Sequence, residues 1–276
     1  MLRRSFYLSL CLLAWSLGAE EPAVPAAPKA ELPPLLQEAI TKLSQDTDRW
    51  AYTETRIAKD TKGVSKGETT VRFDPSKPYA EQYVPLKING QPPTTKQLAD
   101  YRRRGVKRGE RLDREAGLPA PPVAPAREAP SFRINGSKSF ADVDHITVTQ
   151  ETDGAVTYLV PLVSDPKIPV PMEKIELLVR VNKAQRAMEN VNVRLRDAFR
   201  MKLIVKVNSG GANIDFTSVD AKYAPVVSAI SGDAAASVLF IKVGGAFDLK
   251  REDFKRVKPY GDRFEVQIGP LRTIDF

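Results

Sequence analysis

Between Glu173 and Asp220 apolar and polar residues alternate with a period of two. Ile175, Leu177, Val179 and Val181 alternate with Glu176 and Arg180, and Val191, Val193 and Leu195 with Asn192, Arg194 and Arg196. Leu203, Val205 and Val207 follow against Lys202 and Lys206, then Ile214 and Phe216 against Asp215 and Thr217. Successive side chains of a strand point to opposite faces, so the stretch predicts four strands with one apolar and one wetted face. A sheet with a wetted face pairs antiparallel, because parallel sheets are covered on both sides. The parity of the apolar positions flips between Val207 and Ile214, which requires an even connection, and Asn208-Ser209-Gly210-Gly211 is expected to supply it as a turn. No flip separates Leu195 from Leu203, so an odd loop is expected around Asp197-Ala198-Phe199.

The same reading extends outward. Leu36, Ile40 and Leu43 lie at helical spacing and predict a short amphipathic helix ending before Asp46. Trp50 and Tyr52 open a strand to about Ile57, with Thr69, Val71 and Phe73 as its partner across a Lys62-Gly63 turn. Asp74-Pro75 ends that partner, and Tyr83 to Ile88 forms a further strand before Asn89-Gly90. Thr94 and Gln97 have the spacing of a capping box. The helix they open carries a thin apolar stripe of Leu98, Tyr101 and Leu112. Gly105 and Gly109 each cost it roughly 1 kcal/mol against alanine, so it is expected to be marginal beyond its first turns. Five prolines between Gly117 and Ser131 make a linker, and Thr94 to Pro130 reads as a basic helical insertion between two strands of one sheet.

Strands are expected to resume at Phe140, with Ile146 and Val148 facing Val156, Tyr158 and Val160 across Thr152-Asp153-Gly154, the glycine in a left-handed position. Val227 and Ala229 are expected to pair with Leu239 and Ile241 across Ser231-Gly232-Asp233. Lys250 to Val257 is expected to make a short helical turn, and Phe264, Val266 and Ile268 one last strand. The sum is ten or eleven strands, nearly all adjacent in sequence, with no helix–strand alternation. The fold class is mainly β (α+β): a long antiparallel meander forming a curved open sheet in one domain over 35–276.

The ends change the picture. Arg3 and Arg4, the apolar run Phe6 to Leu17 and the small residues Gly18-Ala19 are the three parts of a secretory signal peptide, residues 1–19. Glu20 to Pro34 carries five prolines and reads as an extended tether. The single cysteine, Cys11, lies in the leader, so residues beyond it have no disulfide, thiolate nucleophile or cysteine metal ligand. An exported chain without cysteine points to the periplasm of a Gram-negative bacterium. Loss of Arg3 and Arg4 lowers the formal charge from +8 to +6, and Lys96 to Arg114 alone holds eight bases against three acids.

Candidate chemistry is sparse. His145, in Asp142-Val143-Asp144-His145, is the single histidine. It is expected on one strand face with Thr147 and Thr149, where Asp142 and Asp144 cannot all join it around a metal. No nucleophile elbow, His-Glu-x-x-His motif or phosphate loop is present. Glu54, Glu68 and Asp215 could form a carboxylate pair only through distant strands, and no spacing points there. The sequence therefore predicts no catalytic residue, metal site or cofactor. A membrane barrel is disfavoured because Pro270 and Arg272 stand where the last strand would need apolar residues. An exported protein seldom meets nucleic acid, so Arg102, Arg103, Arg104, Lys107 and Arg108 are read as a solvated face or a site for an anionic membrane or protein surface.

The helix Leu36-Ile40-Leu43, the aromatic strand opening at Trp50-Tyr52 and the alternating stretch Glu173 to Asp220 together resemble the LolA/LolB-type half-barrel proteins of the bacterial periplasm. The resemblance covers about two thirds of the chain beyond the leader and rests on pattern, with no diagnostic motif. It implies an open sheet wrapped around helices, with an apolar concave space for acyl chains of lipids or lipoproteins. The residues expected to line such a space are Trp50, Tyr52, Val191, Val193, Leu195, Leu203, Val205, Ile214 and Phe216. The basic insertion departs from the family pattern.

Overall fold

The computed structural model describes residues 32–44, 49–117, 141–164, 170–201, 205–238 and 241–261. The expected leader, most of the tether, Phe140, Leu203, Leu239 and the last strand at Phe264 to Ile268 lie outside them.

Helix α1 (Pro34–Leu43) forms where expected, with Leu36 and Ala39 buried, and its first turn begins at a proline that needs no amide partner. Strand β1 (Trp50–Lys59) pairs with β2 (Ser65–Phe73), which pairs with β3 (Tyr83–Ile88). Asn89 and Gly90 close that last strand with positive φ of 50° and 75°. Helix α2 (Thr95–Gly117) follows. Next come β4 (Thr147–Glu151), β5 (Ala155–Leu159), β6 (Ile175–Asn182) and β7 (Ala187–Leu195). The last described elements are β8 (Phe199–Met201), β9 (Val205–Thr217), β10 (Val226–Val238) and β11 (Ile241–Arg256).

All eleven described strands join one antiparallel sheet in the order β3-β2-β1-β11-β10-β9-β7-β6-β5-β4, with β8 added on β9. The sheet is open, with β3 and β4 at its edges. The meander is therefore not continuous in space: β1 lies beside β11, and the connection through α2 carries the chain from one edge to the other. Helix α2 follows β3, one edge strand, and precedes β4, the other; the rest of the expected insertion, from residue 118 to Pro130, lies outside the described residues.

Several local expectations are corrected. Asn208-Ser209-Gly210-Gly211 is not a turn but the middle of β9, and the parity flip is absorbed by a bulge. Ala235 faces Ser209 while Ala236 faces Val207, leaving Asn208 as the extra residue. One unpaired residue reverses facing just as an even loop does. Ser231-Gly232-Asp233 likewise lies within β10: Ala229 pairs with Lys250, and Ile241 pairs with Val238. Lys250 to Arg256 is strand rather than helical turn, with Lys250, Arg251 and Glu252 bonded across to Thr55, Glu54 and Thr53. Phe199, expected in a loop, starts β8. Gly154 closes the β4–β5 hairpin without a positive φ.

Helix α2 is also longer than propensity predicts. Its capping box is present, the Gln97 amide donating to Thr94 Oγ1 (3.3 Å) and the Thr94 amide to Gln97 Oε1 (2.8 Å). A Cβ at Gly105 would overlap the Tyr79 carbonyl oxygen, and one at Gly109 the Tyr79 ring. The two glycines therefore let α2 close on the short 3-10 turn Tyr79–Glu81, and packing offsets their propensity cost.

Candidate functional site: an apolar sheet face partly covered by one helix

Residues directly opposite each other across paired strands share a face. One such row runs Tyr158, Val179, Val191, Ile214, Ile230 and Leu249 over β5, β6, β7, β9, β10 and β11, and ends at Arg56 on β1. A parallel row runs Leu177, Val193, Ala212, Gly232 and Phe247 to Ala58. Helix α1 packs on this face over β6 and β7. Leu36 and Ala39 there join Tyr158, Val179, Val181, Met188 and Val191 in the buried cluster. Glu38 pairs with Arg186, and Lys42 Nζ donates to the Gln185 carbonyl (3.2 Å), fixing the helix over the β6–β7 turn.

Beyond β7 the cover thins. Val193, Ile214 and Phe216 touch the cluster but are only half-buried, Ile230 and Leu249 are half-buried, and Phe247 is 46% exposed. The Phe247 ring lies over Gly232, where a Cβ would meet it at 2.8 Å. Apolar surface thus runs across six strands, while the buried cluster under the described helix lies on three of them, β5, β6 and β7.

The residues predicted to line an apolar space divide accordingly. Val191, Val193, Ile214 and Phe216 meet under or beside α1. Leu195 and Val205 are half-buried farther along. Trp50 and Tyr52 belong to a separate aromatic group: Trp50 stands edge-on to Tyr223 (6.0 Å) and Phe254 (6.5 Å), and Tyr52 lies against Phe73 (5.0 Å). Burial pushes the Tyr52 phenol up, with Arg251 over its ring at 4.6 Å opposing the shift.

Between these groups lies a feature that strand parity alone could not single out. Glu54 is 2% exposed and accepts from Arg56 Nε (2.6 Å) and Arg251 Nε (2.8 Å). A buried carboxylate needs such partners. Asp215, on the opposite face, accepts from Asn190 (2.7 Å) and Asn213 (3.0 Å), and Glu68 sits exposed opposite Ile57. Each of the three carboxylates raised by the sequence therefore has its own surroundings.

His145 is not on a strand. It ends a 3-10 turn, Val143–His145, with Nδ1 2.8 Å from Asp142 Oδ2, and that hydrogen bond raises its pKa. Among the described residues no three His, Cys, Asp or Glu side chains come together as a metal cluster.

The basic residues of α2 have separate surroundings. Arg108 Nη2 donates to Gln82 Oε1 (2.8 Å) and its guanidinium lies over the Tyr83 ring (4.4 Å), which anchors the helix. Arg102 borders a cleft of about 370 Å³ with Arg72, Lys77, Tyr83 and Leu98. Arg103 pairs with Asp100 (2.8 Å), Arg104 lies over Tyr101 (5.0 Å), and Lys107 is exposed.

No family model matches the sequence, and no curated protein matches it. Among solved structures, a LolA superfamily protein from Nitrosomonas europaea aligns over 84% of this chain and 96% of that chain, at 11% identity and a TM-score of 0.34.

Proposed function

We propose that this chain is a non-enzymatic envelope protein that holds a lipid or acylated ligand against the apolar face of its sheet. The observation that carries the reading is the mismatch between that face and its cover: the rows through Ile230, Leu249 and Phe247 continue past the strands on which α1 packs. Apolar surface of that extent, bordered by charge at Arg56 and Arg251, suits an acyl chain better than a polar metabolite. The arginine-led apolar leader and the lack of cysteine beyond it support export to a Gram-negative periplasm. Native mass spectrometry of protein recovered from an envelope fraction is expected to show added lipid mass, removed by Ile230→Asp. A spectrum free of adducts under gentle ionisation overturns the reading.

A second reading is supported by α2, where Lys96, Arg103, Lys107 and Arg114 recur at helical spacing and are all exposed. A scaffold that binds an anionic partner by this face would lose it in pull-down on Lys96→Gln, Arg103→Gln and Lys107→Gln together, whereas a carrier would keep its ligand.

A further inference from the structure

The far ends of β8, β9, β10 and β11 form a small amphipathic flap. Its last paired row among the described residues is Met201, Val205, Val238 and Ile241. One residue back, on the other face, stand Arg200, Lys206, Ser237 and Lys242. Behind these the apolar face resumes with Phe199, Val207, Ala236 and Val243. Ile241 is 68% exposed and Val243 41%. The sequence holds no acid from Phe199 to Ile214 or from Ala234 to Phe247.

Two physical oddities meet here. Cross-strand like charges destabilise a sheet, yet Arg200 and Lys206 stand directly opposite each other, and neither they nor Lys242 forms an ion pair among the described residues. Exposed branched side chains at the end of a hairpin gain nothing from water. One surroundings resolves both. In an anionic bilayer the terminal row enters the acyl boundary, and bases about 3.3 Å higher along the strands reach the phosphate level on flexible stems.

We infer that this flap docks the protein, end first, on an anionic lipid bilayer. Ile241 and its row supply apolar burial, and Arg200, Lys206 and Lys242 supply charge. The site continues the sheet face that carries Ile230 and Leu249, eight residues further along β10 and β11, and does not require a ligand to be bound there. An apolar row at the tip with bases one residue behind it follows the acyl-to-phosphate order of a bilayer, and for that reason the bilayer is the assigned partner.

The test is flotation of the full chain with vesicles of phosphatidylglycerol and phosphatidylethanolamine, and with phosphatidylcholine alone. The wild type is expected to float with the anionic vesicles, less so as salt rises, and to stay behind with the neutral ones. With each surface base worth about 1 kcal/mol, Lys206→Gln with Lys242→Gln should weaken partition about tenfold or more. Ile241→Asp, at an exposed position, should abolish it without changing the unfolding temperature, while Lys96→Gln, Arg103→Gln and Lys107→Gln on α2 should leave it intact. Failure of the wild type to float, equal flotation with neutral vesicles, or loss only in the α2 variant overturns the inference. So does a concentration-dependent dimer, broken by Ile241→Asp, that ignores vesicles. Lipid mass bound to Ile241→Asp is expected to equal that of the wild type, which separates this site from the ligand face.

Discussion

Glu54 shows how far a single residue departs from what its neighbours in sequence announce. In Trp50-Ala51-Tyr52-Thr53-Glu54 it occupies a position shared with two aromatics, and by parity it faces the same way. The partner that makes this tolerable, Arg251, is supplied by β11 nearly two hundred positions later. Glu54→Ala would leave the Arg251 guanidinium, itself mostly covered, without its carboxylate. Removing one partner of a buried pair costs about 3 kcal/mol or more, to be read from denaturant unfolding. The exposed Arg56 contributes far less, so Arg56→Ala should change stability by under about 1 kcal/mol. His145 is a milder case. Its hydrogen bond to Asp142 raises the folded pKa above 6.5, so the pair's stabilisation is present at low pH and fades as pH rises through the folded value. An NMR titration should give a midpoint above 6.5 that falls back on Asp142→Asn; an unshifted wild-type midpoint would refute the pair.

At the scale of elements, α2 and β9 show propensity and parity giving way to packing. In an isolated helix Gly105→Ala and Gly109→Ala would each be worth about 1 kcal/mol in favour of the helix. Here a methyl group at either position collides with Tyr79, so both substitutions are expected to lower the melting temperature, by the roughly 1–3 kcal/mol of an overpacked contact. A rise instead would mean that the helix does not sit on Tyr79. The four-residue spacing of the two glycines is the sequence signal for this contact, one that a count of propensities treats only as loss. Strand parity was legible from Ile175 to Leu195 and again from Val205 to Phe216. The device that flips it was not, because an even turn and a one-residue bulge leave the same trace in the pattern. What separates them is the partner strand, and Ala234, Ala235 and Ala236 give Gly210 and Ser209 small neighbours beside which the chain can stay extended. The same ambiguity made Ser231-Gly232-Asp233 resemble a turn. Glycine there leaves room for the Phe247 ring, a contact that no local pattern carries.

The whole sheet is held by a pairing that the order of strands in the sequence does not foretell. Strands β1, β2 and β3 reach the rest of the sheet through β11, along a register that runs from Trp50 opposite Arg256 to Lys59 opposite Ala246. The buried cluster under α1 lies at the other side, on β5 to β7. If the sheet unfolds as one unit, damage to that cluster must weaken the amides of β1 and β2 although no side chain there is touched. Leu36 is 1% exposed, and Leu36→Ala should cost about 3 kcal/mol through lost burial and the cavity left behind. Hydrogen exchange is then expected to show protection in Tyr52 to Ile57 falling by the same free energy as in Val179 to Val191. If β1 to β3 kept full protection while β6 and β7 lost it, the β1–β11 seam would be a boundary between two folding units. The apolar rows that cross that seam at Leu249 and Arg56 would then be a surface assembled after folding, not a core extended past its lid.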